Sequence, residues 1–224
     1  MKKIVDIIIP VYNGGKFIND AIDSILNQTH QDFRILIVDD GSTDNTVSVV
    51  KEYQKGTDKI LLFEEPHLGQ PKAINRGLEE LSADYICFLD ADDYWEKEKL
   101  EKQLNFFEAN NEALACFTMM KEFDSFEDNE ITPQYTARKE VMKGISKSTI
   151  MFKKSLLQQL GEFDPNPFIG VFVNWFSKMQ KENIVFETLD EVLVHRRVHD
   201  ANFTKNINKM DYLKLLKSHL KKSK

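Results

Sequence analysis

The sequence predicts a three-layer α/β/α protein with a mostly parallel central sheet. Two observations carry this. Between Val5 and Asn110, short β-branched runs alternate with amphipathic segments, the rhythm of strands joined by crossover helices. The strand-like runs, VDIIIPV first among them, are continuously apolar rather than alternating, as strands covered on both faces should be. A chain of 224 residues, 42% of them hydrophobic, suffices for one domain with a sizeable core.

Taken in order, Val5 to Val11 starts the sheet. In KFINDAIDSILNQ, the residues Phe17, Ile18, Ala21, Ile22, Ile25 and Leu26 then share one helical face. FRILIVDD is a second strand. STDNTVSVVKEYQK opens with Ser42, Thr43 and Asp44, which are capping residue types, and continues as a helix. KILLFEE is a third strand, and PKAINRGLEELS a short helix with Pro at its start. DYICFLD is a fourth strand, and EKEKLEKQLNFFEANN a fourth helix.

After Asn110 the rhythm changes. ALACFTMM reads as a strand, and Lys121 to Gly144 as a long polar loop with a strand-like piece. STIMFKKSLLQQLGEFD reads as strand, helix and turn, and VFVNWFSKMQKEN as a helix. IVFETL and EVLVHRRVHDANFT read as two strands, the second leaving into a loop. In MDYLKLLKSHLKK, Met210, Leu213, Leu216 and Leu220 align on one side with lysines opposite. The expected organisation is one domain over 1–204 and a basic amphipathic helix over 205–224.

Bulk composition excludes several classes. A net charge of −6 argues against a nucleic-acid partner, since such domains are usually basic. Cys87 and Cys116 lie inside apolar runs without metal-ligand spacing, so they read as buried free thiols in a reducing compartment. The start, MKKIVDIIIPVYNGG, is interrupted by Asp6 and Pro10 and has no cleavage pattern of small residues. No apolar run is long enough to span a bilayer. The expected location is cytoplasmic. Lys214, Lys217, Lys221 and Lys222 admit a peripheral contact with the inner face of a membrane, a solvated helix face, or a homodimer contact along the apolar stripe.

The chemistry gathers at strand ends. In an open parallel sheet, ligands bind beyond the carboxyl ends of the strands. The first strand ends in Pro10-Val11-Tyr12-Asn13, the second in Asp39-Asp40, and the fourth in Asp90-Ala91-Asp92-Asp93. All three clusters should share one edge. Crowded carboxylates raise each other's pKa unless a cation sits among them, and two aspartates one residue apart suit a hard metal ion with phosphate as its further ligand. Other motifs fail on inspection. An EF-hand starting at Asp90 would have Trp95 where glycine is required. GISKST lacks the glycine before the lysine of a phosphate loop, HRRVH has Arg196 in place of a zincin glutamate, and YNGGKF is not a dinucleotide fingerprint.

The stretch IIIPVYNGGKFINDAIDSILNQTHQDFRILIVDDGSTDNT closely resembles the opening of family 2 glycosyltransferases, and LGQPKAINRGLEELSADYICFLDADDYW resembles their next segment with its Asp-x-Asp motif. The resemblance implies the GT-A fold, a Rossmann-like architecture. It also implies a nucleotide-sugar donor, most often a UDP-sugar, and Mn²⁺ or Mg²⁺. Carried over by position, Pro10, Val11, Tyr12 and Asn13 would line the base pocket, and Asp39 would contact base or ribose with Asp40 beside it. Lys72 and Asn75 would join the donor site. Asp90 would reach ribose or metal-bound water, with Ala91 next to it, and Asp92 would ligate the metal. Asp93, Tyr94 and Trp95 would shape the sugar end, although Trp95 reads equally well as core. RRVHDANFT is similar to the family's Arg-x-His-x-x-Asn stretch, which would put Arg196 or Arg197 on phosphate oxygens and His199 on the diphosphate or the metal.

The family usually carries acids at the start of the helix after a GFD-type turn, one of them the base that deprotonates the acceptor. Here the turn is Gly161-Glu162-Phe163-Asp164, but the helix has Val171 and Asn174 where a branch of the family has Glu and Asp. Asp164 or Asn174 is left at the base position. Three functions follow. The first is an inverting transferase using a carbohydrate, lipid-linked or peptide acceptor. The second is a catalytically impaired nucleotide-sugar-binding partner protein. The third is a nucleotidyltransferase, for which YNGGKF is a poor triphosphate loop.

Overall fold

The computed structural model describes residues 3–124, 136–165 and 170–199. The expected C-terminal helix over 205–224 lies outside the described residues.

Strands β1 (Val5–Val11), β2 (Phe33–Asp39), β3 (Ile60–Glu64) and β4 (Tyr85–Phe88) form the parallel half of the sheet in the order β3-β2-β1-β4. Helices α1 (Ile18–Leu26), α2 (Thr46–Gln54) and α3 (Gln70–Glu79) connect them. The β-branched continuity of β1 is explained by burial: every one of its residues is buried. Ile7 and Ile9 pack with Ile18, Ile22, Ile25 of α1 and Val50 of α2, while Ile8 packs with Ile74 and Leu78 of α3 on the other face. Burying side chains of this size contributes about 1.5–3 kcal/mol each. At Gly77 in α3, an added Cβ would stand 2.7 Å from Ile8 Cγ2, so α3 lies directly on β1.

Asp6, which interrupts the apolar first strand, is fully buried and paired. Arg34, its register partner on β2, forks onto both its oxygens at 2.8 and 2.9 Å. The N–H groups of Ser82 and Ala83 donate to Oδ2 at 2.8 and 2.9 Å. A buried carboxylate survives when it is paired and hydrogen-bonded in this way.

Beyond β4 the sheet becomes mixed. It continues through β8 (Met151–Lys153), β6 (Ala115–Asp124) and β9 (Phe186–Val198) to β5 (Tyr94–Trp95), and β7 (Thr136–Lys143) pairs β6 from outside this path. Helices α4 (Lys99–Ala109), α5 (Lys154–Leu160) and α6 (Val171–Lys181) complete the layers. Leu100, Leu104 and Phe107 of α4 join the α1/α2 face; Leu156, Leu160, Val171, Trp175 and Met179 of α5 and α6 join the α3 face.

Two expectations for this half are corrected, and one short strand is added. Lys121 to Asp124 is not loop but the end of β6, because β9 runs beside it in register to Asp124↔Val198. The two strands expected at IVFETL and EVLVHRRV are one, β9, which passes register shifts beside Thr118 and Met119 without leaving the sheet. Tyr94 and Trp95 form a short strand on β9, opposite His195 and Val194. Tertiary pairing decides each of these. The helix-capping expectation changes too. Of Ser42, Thr43 and Asp44, only Asp44 serves α2, accepting the Thr46 N–H at 3.0 Å. Ser42 and Thr43 bond to Asn13 instead.

Candidate functional site

Parallel register brings the ends of β1, β2 and β4 to one edge. Val11 is level with Asp39, and Leu89 donates its N–H to Ile8 O as β4 ends. Two loops then lock together. Asn13 adopts a left-handed backbone (φ 50°), donates its N–H to Ser42 Oγ at 2.8 Å, and accepts from the Thr43 N–H at 2.8 Å. Gly14 and Gly15 donate their N–H groups to Thr46 Oγ1 and Asp44 Oδ2, both at 3.0 Å. Burial would raise the Asp44 carboxyl pKa. The hydroxyl and N–H of Thr46, with the N–H of Gly15, outweigh it and hold that pKa below its ordinary value.

Asp39 and Asp40 divide their tasks. Asp40 is buried and turned to the loop after β3: its carboxylate accepts the N–H groups of Leu68 and Gly69 and pairs with His67 Nδ1 at 2.9 Å. Asp39, 2% exposed, accepts the Ser42 N–H on Oδ2 at 2.9 Å. Its Oδ1 is buried and has no hydrogen-bond partner among the described residues. A buried carboxylate oxygen left this way costs about 1–3 kcal/mol, and a ligand donor would relieve it. Tyr12 is half exposed beside this point, its ring stacked on His67 with centroids 4.0 Å apart.

The acidic run after β4 is partnered residue by residue. Asp90 Oδ1 receives the ammonium of Lys147. Asp92 Oδ2 lies 3.0 Å from His199 Nε2. Asp93, buried, accepts the Arg197 N–H at 3.0 Å and the Ser148 hydroxyl at 3.1 Å. Burial raises the Asp92 carboxyl pKa, but the hydrogen bond and charge of His199, with Lys147 beyond, leave it lowered. Asp93 goes the other way: burial, with Asp92 and Asp90 alongside, holds it well above the carboxylate range. Asp92 and His199 form a two-donor mount of oxygen and imidazole nitrogen, chemistry that fits Mn²⁺ with substrate oxygens as further ligands. Among the described residues no group of three His, Cys, Asp or Glu side chains forms a closed cage.

Several residues expected at the donor have other duties. Arg197 is 3% exposed; its Nε donates to the Asp92 carbonyl at 3.0 Å, its guanidinium pairs with Asp20, and it lies between the rings of Phe17 and Phe123. It therefore shapes the acidic loop from below. Asn75 is tied to the turn before α6, exchanging hydrogen bonds of 2.7 and 3.0 Å with the backbone of Phe163. Lys72 is exposed on α3 and lines a cavity of about 310 Å³ with Asp40, Leu68, Asn75 and Glu162. Trp95 is core: 3% exposed, its Nε1 donates to Ser148 O at 3.0 Å. Tyr94 stacks on His195. Asp164 is exposed in the turn, and Asn174 is half buried on α6, whose first turn carries no acidic residue.

Lys147, Ser148 and His67 were missed in the sequence. GISKST signals Lys147 only if it is read as a cation destined for the acids of a neighbouring strand, a pairing that needs the fold.

The fold is that of GT-A glycosyltransferases. The structure of residues 1–349 of TarS from S. aureus in complex with UDP superposes with a TM-score of 0.70 at 21% identity, covering 92% of this chain and 63% of that fragment. A mannosyltransferase from Pyrobaculum calidifontis, PcManGT, in complex with GDP-Man and Mn²⁺, gives 0.71 at 20% identity, covering 90% and 59%. By sequence, residues 6–179 match glycosyl transferase family 2, and the chain belongs to that family. An uncharacterized glycosyltransferase of Rickettsia typhi is 30% identical over 98% of this chain and 72% of its own length. A Bacillus subtilis protein named for teichuronic acid biosynthesis, TuaG, is 42% identical over 47% of this chain, a match that spans 42% of TuaG.

Proposed function

We propose that this chain moves a sugar from a nucleotide-sugar, a UDP-sugar first among candidates, to an acceptor hydroxyl with inversion. The observation that carries the reading is the buried Oδ1 of Asp39, without a hydrogen-bond partner among the described residues, on the edge where the acidic run lies. Family membership and the nucleotide complexes of the structural neighbours support it. In this reading Tyr12 stacks on the base, and Asp39 accepts an N–H of the base or a ribose hydroxyl. Asp90 orients the ribose. Asp92 and His199 would hold a divalent cation, Mn²⁺ or Mg²⁺, whose charge stabilises a departing nucleoside diphosphate. Arg197 and Ser148 keep the acidic loop in shape.

A second reading rests on α6. With Val171 and Asn174 in its first turn, a base must come from elsewhere, with Asp164 nearest in sequence, because an amide is a negligible proton acceptor. If none serves, the chain is a nucleotide-sugar-binding partner of an active enzyme.

Thermal unfolding with UDP and GDP, each with and without Mn²⁺, tests the donor site. A ligand at about 100 times its Kd adds about 2.7 kcal/mol, or roughly 5–10 °C for a chain of this size. The expected result is a Mn²⁺-enhanced shift that Asp92→Ala abolishes. No shift with either nucleotide overturns both readings. A shift without release of UDP from any UDP-sugar favours the binding protein.

A further inference from the structure

Lys147 is a lysine in an unusual place. It is only 9% exposed, although lysines normally keep their ammonium in water, and that ammonium meets Asp90 Oδ1.

The backbone beneath it is rigid. Lys147 to Thr149 form a 3-10 turn closed by a capping box between Ser146 and Thr149. Trp95 Nε1 donates to Ser148 O at 3.0 Å, Gln103 Nε2 donates to Thr149 O at 3.0 Å, and the Thr149 hydroxyl donates to Gly144 O. An added Cβ at Gly144 would stand 2.6 Å from Thr118 O, so the turn lies directly on β6. The lysine is thus presented from a turn whose backbone is hydrogen-bonded and packed on β6.

Asp90 does not depend on Lys147 alone. Its Oδ2 faces the Ser148 hydroxyl at 3.3 Å, and its Oδ1 faces Gln70 Nε2 at 3.4 Å. Turning the ammonium away leaves the carboxylate with polar neighbours. Two other basic side chains on the acidic run are engaged: His199 with Asp92, and Arg197 with Asp20 between two rings. Lys147 carries its charge on a flexible four-carbon stem with three donors. A nucleoside diphosphate arriving at this edge would meet the carboxylates of Asp90 and Asp92, and a mobile positive charge beside them would offset the repulsion.

We propose that Lys147 is a phosphate-binding residue of the donor site. It holds Asp90 before the donor binds and turns to a diphosphate oxygen afterwards, sharing the negative charge of the leaving group. This inference rests on the nucleotide-donor reading above. A structural role, in which Lys147 only neutralises Asp90, predicts altered stability with unaltered nucleotide affinity.

Calorimetric titration of UDP and GDP into the full chain, in EDTA and in Mn²⁺, separates the two. Asp90→Asn frees Lys147, and the double variant Asp90→Asn/Lys147→Met removes it without stranding a buried carboxylate. With EDTA, the comparison that counts is Asp90→Asn against the double variant, because both lack the carboxylate that orients the ribose and differ only in Lys147. The double variant should bind about 10- to 100-fold more weakly than Asp90→Asn, the equivalent of one charge-assisted hydrogen bond. Lys147→Met alone should lose affinity in the same direction, with circular dichroism confirming that each variant folds. If Asp90→Asn and the double variant agree within about twofold while the unaltered chain binds nucleotide, Lys147 is not a donor residue and the donor site stands. If no form binds either nucleotide with or without Mn²⁺, the donor reading falls and this inference falls with it.

Discussion

Replacing Asp39 by Asn tests the donor site at its most constrained atom. The side chain is 2% exposed and its Oδ2 is already used by the Ser42 N–H at 2.9 Å. Asn keeps the shape and can still accept from Ser42 through its carbonyl, so its amide nitrogen is directed to the position of Oδ1. A ligand N–H then meets a donor in place of an acceptor, and a ribose hydroxyl exchanges a charged acceptor for a neutral amide donor. The lost interaction is a charge-assisted hydrogen bond in a buried setting, about 1.5–3 kcal/mol, or roughly 10- to 150-fold in Kd. Stability should move little, because the variant also removes a buried charge whose Oδ1 has no partner among the described residues. Calorimetric titration of UDP measures the first effect, and denaturant unfolding the second. Unchanged UDP affinity in a folded Asp39→Asn protein would refute the assignment of Oδ1 to the ligand.

Other outcomes follow from the core. Burial pushes the thiol pKa values of Cys87 and Cys116 up to about 11 and about 12, despite the opposing charge of Lys99. Both should resist alkylation at pH 8 until the protein is unfolded. Folded pKa values above the unfolded ones mean this contribution to stability is intact below about pH 8.5 and is lost as pH rises through about 11 to 12; thermal unfolding from pH 8 upward checks the sign. Gly77→Ala should cost about 1–3 kcal/mol, because its Cβ would stand 2.7 Å from Ile8 Cγ2, and urea unfolding measures it.

Much of the fold is legible because local and tertiary preferences agree. Strands β1 to β4 are short, apolar and separated by helices with one apolar face, so any parallel arrangement that buries them yields this half. The later half has no such agreement. Lys121 to Asp124 is polar and reads as loop, yet pairing with β9 makes it strand. Tyr94-Trp95 is too short to signal a strand without His195 and Val194 opposite it.

The site divides along the same line. That Tyr12, Asp39, Asp90 and Asp92 stand at strand ends is written in the linear order of residues, because parallel connectivity sends those ends to one edge. What each side chain does there depends on the folded chain. Asp40 and Asp39 are adjacent in sequence, but one binds the loop at Leu68 and Gly69 while the other has a buried oxygen with no hydrogen-bond partner among the described residues. Asp90 and Lys147 are 57 positions apart, as are Asp92 and His199 by 107. No local pattern encodes such pairings, since hydrogen bonds and ion pairs depend on separations of a few ångströms that only the folded chain sets.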